Sequence, residues 1–440
     1  MRLSGQTKSV LEWPRFLQLF SRYVSSEAAR EHAAKIEPVD DLPDQIALTK
    51  EVLLCAQKGI LPTLSSLEDV EGVIRKTAIE NHISEGIDLF RIARLASLNT
   101  EIRATGVGWK SEFPHLHARC LRLPDLRSFA DEVMKAIEPT GEVKEDATPD
   151  LARIIKQILH LQSRVERALE RFFRDGRYKT ALQEDYVTYR HGRAVLVVRA
   201  EEKNAIRGVV HGESGSGASL FVEPLSALEL NNELAQLTDR QTEEIRKILR
   251  ELTLTASRHS DALLFALQQL IDLDLLFARG RFGKALDCTA PEFTDDFHLV
   301  LNQATHPLLR DTLEKQNQAV VPLNMDLTSD QKALVITGPN TGGKTVFLKT
   351  AGLLSLMAHC ALPIPAKEGS LIPRFQAIQA DIGDQQSISE SLSTFSSHVR
   401  SLVAILSNVQ SRSLILLDEL GTGTDPEEGA PLAVAVLEEL

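Results

Sequence analysis

The chain has 440 residues, 43% of them hydrophobic and 25% charged, with a net charge of −12. That length exceeds one ordinary core and implies two or three domains of the globular class. The acidic balance excludes a globally cationic nucleic-acid binder, and aromatics at 5% advertise no base-stacking platform.

The four cysteines, Cys55, Cys120, Cys288 and Cys360, are dispersed and form no C-x-x-C pair. They point away from a zinc site or disulfide framework and toward a reducing cytoplasm. The N-terminus lacks the apolar core of a signal peptide. No stretch approaches the ~18 uninterrupted apolar residues of a membrane helix, so no membrane partner is expected.

Residues 1–144 read as a helical core, with turns at Asp40-Asp41-Leu42-Pro43 and Leu61-Pro62-Thr63-Leu64. His115 and His117 have no further ligand candidates nearby and read as satisfied polar histidines. Residues 145–181 form the first arm of a coiled-coil lever. A polar hinge over 139–150 ends at Asp150, expected as N-cap. Leu151, Ile158, Val165 and Phe172 make one heptad row, with Ile154, Leu161 and Ala168 three positions on. Asp175-Gly176 stops the helix. Residues 151–180 carry eight Lys/Arg against three Asp/Glu, either a solvated helix face or a nucleic-acid contact.

Over 182–225 the period changes to that of a small clamp-like β module. Its runs are Tyr186–Tyr189, Ala194–Val198 and Gly208–Val210, with turns at His191-Gly192-Arg193 and Gly212–Gly217. Residues 226–296 return as a second arm, a helix over about Ser226–Ala256 with Leu230, Leu234, Leu237, Ile245, Ile248 and Leu252 on one side. Apolar helix then continues through 259–287. Residues 297–440 are left for a nucleotide domain.

There, Ala333-Leu334-Val335-Ile336 reads as an apolar strand feeding Gly338-Pro339-Asn340-Thr341-Gly342-Gly343-Lys344-Thr345, a G-x-x-x-x-G-K-T phosphate loop. A helix from about Val346 to His359 follows. Backbone N–H groups of such a loop turn inward to cradle phosphate oxygens, and the helix N-terminus adds its positive end. Lys344 then contacts the β- and γ-phosphates, and Thr345 offers its hydroxyl to Mg²⁺. Leu414-Ile415-Leu416-Leu417-Asp418-Glu419 reads as a second buried strand ending in an acid pair. Asp418 suits the Mg²⁺ shell, and Glu419 suits orientation or deprotonation of an attacking water. The pair of motifs marks an ATPase core using ATP and Mg²⁺.

Loop, acid pair and lever together resemble the MutS family of ATPases, of the ABC type, and most closely its second bacterial subfamily. The residues are Thr337–Thr345, then Asp381-Ile382-Gly383-Asp384-Gln385-Gln386-Ser387, then Leu392-Ser393-Thr394-Phe395-Ser396-Ser397-His398, then Leu417-Asp418-Glu419-Leu420-Gly421-Thr422-Gly423-Thr424-Asp425-Pro426. His306-Pro307-Leu308-Leu309 matches the family's entry into the ATPase.

The resemblance implies a multidomain α plus α/β chain: a helical core, an antiparallel coiled-coil lever with a β clamp, and a phosphate-loop ATPase domain. It makes Ser393 and Thr394 the signature segment that caps the γ-phosphate of the other subunit in a homodimer. It also makes Gly421–Asp425 the loop crossing the dimer interface, and leaves His398 as a packing or capping residue. Phe221-Val222-Glu223 fits the family's F-x-E mismatch wedge, but at the tip of the lever, where the match reads as chance. No aromatic stands in Gln316–Val320, where relatives stack adenine.

The chain ends 21 residues after Glu419, before the switch histidine, dimerisation helices and Smr nuclease domain of this subfamily. A truncated ATPase is therefore expected. Two functions follow: an ATP-driven clamp on branched DNA or collided ribosomes with their rRNA, endonucleolytic only in relatives with the Smr domain, or a nucleotide-gated binding module with impaired hydrolysis. A generic ABC or cohesion ATPase is contradicted by Leu392-Ser393-Thr394-Phe395 in place of Leu-Ser-Gly-Gly.

Overall fold

The computed structural model describes residues 1–339, 342–383, 394–421 and 425–440, with the side chains of 394–397 and 426 left undescribed. The chain forms two compact units from non-contiguous stretches. One comprises Met1–Asp69, Leu98–Pro124 and Phe265–Leu440, the other Val70–Ser97 and Asp125–Leu264.

In the second unit a helix over Pro149–Arg174 pairs along its length with a helix over Leu225–Arg258. The two run antiparallel, residue numbers rising along one as they fall along the other. Thr148 Oγ1 donates to Glu244 Oε1 at 3.3 Å, Ile154, Ile158 and Leu161 pack with Leu237 and Leu234, and Val165 and Leu169 share a core with Ala227. Each aliphatic side chain buried there contributes about 1.5–3 kcal/mol. The N-cap is Thr148, whose hydroxyl accepts from Leu151 N–H at 3.1 Å. Asp150, expected as cap, lies in the first turn instead, because Pro149 fits the first helical position and leaves Thr148 as the last extended residue. The buried stripe runs 151, 154, 158, 161, 165 and then Leu169, not Ala168. A straight helix of 3.6 residues per turn drifts off a strict heptad.

Between these helices lies an antiparallel sheet of Thr188–Arg190, Arg193–Arg199, Gly208–Glu213 and Ser219–Pro224, with the last strand between the second and third. Ser219–Pro224 has no counterpart among the expected strands. Every residue in it is buried, so it lacks the alternation that betrays a strand.

Glu223 on that strand is fully buried and accepts from Arg193 Nη1 at 2.6 Å and Asn231 Nδ2 at 2.8 Å, with His211 Nε2 at 2.6 Å. Asn231 also exchanges hydrogen bonds with the backbone N–H and C=O of Ala194, at 3.2 and 3.0 Å. A helix side chain thereby completes the sheet.

In the first unit Arg2–Leu3, Ala377–Asp381 and Ser413–Leu417 form a parallel sheet in that order. The helix Lys344–His359 packs on Ala377–Asp381 and Ser413–Leu417, with every residue from Thr350 to His359 buried. Gly352 permits the approach: a Cβ there would stand 2.5 Å from Leu416 Cδ1 and 2.6 Å from Leu11 Cδ2. Helix Thr394–Asn408 packs on Ala377–Asp381 and on helix Pro426–Glu439.

The strand expected at Ala333–Ile336 does not form. Among the described residues no neighbour pairs with it, and Val335 is 78% exposed. Apolar, β-branched composition favours a strand only where a ladder receives its N–H and C=O groups. The preceding strand is Leu323–Leu327, in a separate four-stranded sheet with Glu292–Thr294, Leu299–Ala304 and Leu371–Pro373. His115 and His117 lie on the helix Pro114–Leu121 and contact Glu51 Oε1 and the Gly106 carbonyl, each at 2.8 Å.

Candidate nucleotide site

The phosphate-loop helix begins at Lys344, two residues earlier than the pattern suggests, with Gly343 as N-cap at φ 83°. Only glycine takes that left-handed turn without strain, and it swings the loop into the helix axis. Within the described part of the loop, Gly342 N–H donates to the Pro339 carbonyl at 2.9 Å. Lys344 Nζ donates to the Gly338 carbonyl at 2.6 Å, so the cation lies over the loop whose phosphates it would contact.

Asp418 follows the end of the strand Ser413–Leu417. Its N–H donates to the Asp381 carbonyl at 2.9 Å, and Leu417 stands in register with Asp381. Thr345 Oγ1 donates to Asp418 Oδ2 at 2.7 Å. Two hard oxygens from distant motifs therefore converge on one point beside the helix N-terminus. That donor set fits Mg²⁺, which takes one or two protein oxygens and completes its octahedron with phosphate and water. Among the described residues no three His, Cys, Asp or Glu gather as an all-protein metal cage.

Glu419 is exposed next to Asp418 and adopts φ 52°. Left-handed backbone costs a non-glycine residue about 1–2 kcal/mol, a strain Glu419 carries directly after Asp418. Asp381, His398, Leu402, Leu417, Asp418 and Glu419 line one cavity. His398 Nδ1 lies 2.9 Å from Asp381 Oδ2.

Of the expected site residues, the fold brings Gly338, Lys344, Thr345, Asp418 and Glu419 to one end of the sheet, with Pro339, Gly342 and Gly343 in the same loop. Asn340, Thr341 and Ser393 lie outside the described residues, as do 384–392 and Thr422–Thr424. Thr394 opens the helix Thr394–Asn408, and its side chain is not described. Asp381, named in the sequence only as the start of the Asp381–Ser387 motif, is a site residue that was given no role there. Its signal was the run Ala377–Ala380 ending in an acid, the same form as the strand before Asp418.

Two buried histidines flank the phosphate-loop helix. His359 closes it, with Nδ1 at 2.8 Å from the Ser355 carbonyl and Nε2 accepting from Phe375 N–H at 3.0 Å. Burial pulls its pKa down to about 4. His306 is likewise pulled down to about 4 by burial, and neither ring nitrogen has a hydrogen-bond partner among the described residues. Its surroundings include Glu12, which pairs with Lys349 of the helix at 3.1 Å.

Residues 334–440 match the family model described as MutS domain V, a span that contains the phosphate loop from Gly338 onward, Asp381, His398 and the acid pair. The endonuclease MutS2 of Pelotomaculum thermopropionicum is 38% identical over 435 residues, covering 98% of this chain and 54% of that protein. The chain belongs to the MutS family, in its MutS2 branch. Endonuclease MutS2 of Geobacillus sp. strain WCH70 is 37% identical over 98% of the chain and 55% of its own length. Putative endonuclease MutS2 of Bacillus subtilis is 36% identical with the same coverages. The chain thus spans about half the length of the MutS2 relatives it matches. Among the described residues no helix is long and apolar enough to cross a membrane.

Proposed function

We propose that this MutS2-branch chain binds ATP with Mg²⁺ at the loop 338–345 and hydrolyses it. The observation that supports this most directly is the 2.7 Å contact of Thr345 with Asp418, one residue from Glu419. Gly338, Pro339, Asn340, Thr341, Gly342 and Gly343 would hold the phosphates with Lys344, and Thr345 and Asp418 the Mg²⁺. Bound Mg²⁺ neutralises charge building on the phosphate oxygens. Glu419 orients and deprotonates the attacking water.

The proposal extends to a homodimer, in which Ser393 and Thr394 of one subunit cap the partner site's γ-phosphate. The five sequence blocks would serve as core, outgoing arm, clamp, return arm and ATPase, with the paired helices as a lever acting on nucleic acid. DNA junctions and ribosomal RNA both present the phosphate backbone such arms would grip. The relatives' names add endonuclease activity, which we assign only to relatives with a nuclease domain.

The test is Lys344→Ala. Loss of MgATP binding is expected, because no backbone amide replaces the compact cation. Affinity within about twofold of the parent, ~0.4 kcal/mol, would overturn the reading. Binding without turnover in the parent would leave a nucleotide-gated module.

A further inference from the structure

A chain of three hydrogen bonds links the helix Thr394–Asn408 to the phosphate-loop helix. His398, one turn into its helix, meets Asp381 Oδ2 through Nδ1 at 2.9 Å. A carboxylate only accepts, so Nδ1 carries the hydrogen of this bond. The Asp381 carbonyl accepts from Asp418 N–H at 2.9 Å, and Asp418 Oδ2 accepts from Thr345 Oγ1 at 2.7 Å. The His398 and Asp381 side chains are only 26% and 14% exposed, so water competes weakly for their bond. Both line the cavity that holds Asp418 and Glu419.

We infer that His398 is a positioning residue, which through Asp381 sets where Asp418 stands relative to Thr345 and so tunes the Mg²⁺ site. Asp381 has its carbonyl committed to Asp418 and its carboxylate to His398, so the peptide that places Asp418 is held from both ends. Without the imidazole, the Asp381 carboxylate is free to rotate while its backbone stays in the ladder, and the Asp418 oxygen is held less tightly at its distance from the Thr345 hydroxyl. Movement of the helix Thr394–Asn408 would reach the metal site by the same route. The inference rests on the MgATP reading above.

The two ring nitrogens are separable by substitution, because an Asn amide reaches where Nδ1 stands and a Gln amide where Nε2 stands. The experiment titrates a fluorescent ATP analogue into the 440-residue parent, His398→Asn, His398→Gln and His398→Ala. Each titration is run with Mg²⁺ and with EDTA, and melting curves accompany every variant. The readout is the gain in affinity that Mg²⁺ confers.

His398→Ala and His398→Gln are expected to keep the EDTA affinity within about twofold and to lose about tenfold of the Mg²⁺-dependent gain, the effect of releasing a partner of a metal ligand. His398→Asn is expected to retain the gain. A full gain in His398→Ala, or rescue by Gln as good as rescue by Asn, would overturn the assignment. So would a folded His398→Asn that loses the gain. A parent with no gain at all would instead remove the MgATP reading and this inference with it.

Discussion

Thr345 and Asp418 meet through a 2.7 Å hydrogen bond across 73 residues of sequence. One stands in the first turn of the helix after the phosphate loop and the other follows the strand Ser413–Leu417. Parallel pairing of that strand with Ala377–Asp381 brings it alongside the helix, and Gly352 lets helix and strand come close enough for the contact.

Glu419→Gln keeps the shape of the side chain and removes its basicity. MgATP affinity is expected to stay within about twofold, while hydrolysis falls at least ~100-fold, the usual contribution of a positioned base. Asp418→Asn should instead weaken nucleotide binding only when Mg²⁺ is present. Steady-state phosphate release beside equilibrium titration checks both. Unchanged turnover in Glu419→Gln would place the base elsewhere.

Stability should fall on acidification from pH 7 to 5. His359 and His306 have folded pKa values of about 4, below the ordinary 6.5, so the unfolded chain binds protons more readily in that interval. Their contribution is complete above pH 6.5 and is lost progressively as pH falls toward 4. It amounts to about 2 kcal/mol per histidine by pH 5. Burial is the main cause, and for His359 protonating Nε2 would also set its N–H against that of Phe375. Urea unfolding at the two pH values measures the drop, and His359→Phe should flatten it. Equal slopes in parent and variant would contradict the account.

Glu223→Ala should cost about 3–5 kcal/mol, because it strands the partly buried Arg193 without its counter-charge and leaves Asn231 short of an acceptor. Glu223→Gln keeps the volume and should cost about 1–3 kcal/mol. Urea midpoints decide. Unchanged stability together with weaker nucleic-acid binding would restore the wedge reading of Phe221-Val222-Glu223.

Arg164, Arg167, Arg171 and Arg174 are all exposed on the helix Pro149–Arg174. Replacing all four with Gln should weaken nucleic-acid binding. It should also flatten the salt dependence, by up to ~0.9 in log–log slope for each duplex phosphate that the variant no longer neutralises. An unaltered slope would make the stripe a solvated helix face.

The chemistry of the candidate site was written locally. A phosphate loop needs its glycines, lysine and threonine within eight consecutive positions, and an acid pair needs only an apolar run before it, so both are legible in a line of residues. The paired helices were legible for the same reason, since Leu151, Ile158 and Val165 repeat at a period that only a helix turns into a stripe. What failed depended on partners. Ala333–Ile336 has strand composition and no ladder, whereas Arg2–Leu3, too short to carry any signal, is a strand because Ala377 and Ile378 stand beside it.

The sequence by itself determined which groups are available at the candidate site for the proposed phosphate and Mg²⁺ binding, because residue type and short spacing set that chemistry. Only the tertiary structure decided that His398 meets Asp381, that the Asp381 carbonyl holds Asp418, and that Glu223 is a buried network acid. Those contacts join residues 17, 37 and up to 30 positions apart, and no local preference specifies which distant donor a buried carboxylate or carbonyl will find. The burial of apolar faces brings the strands and helices together, and the polar pairs form where that packing leaves them.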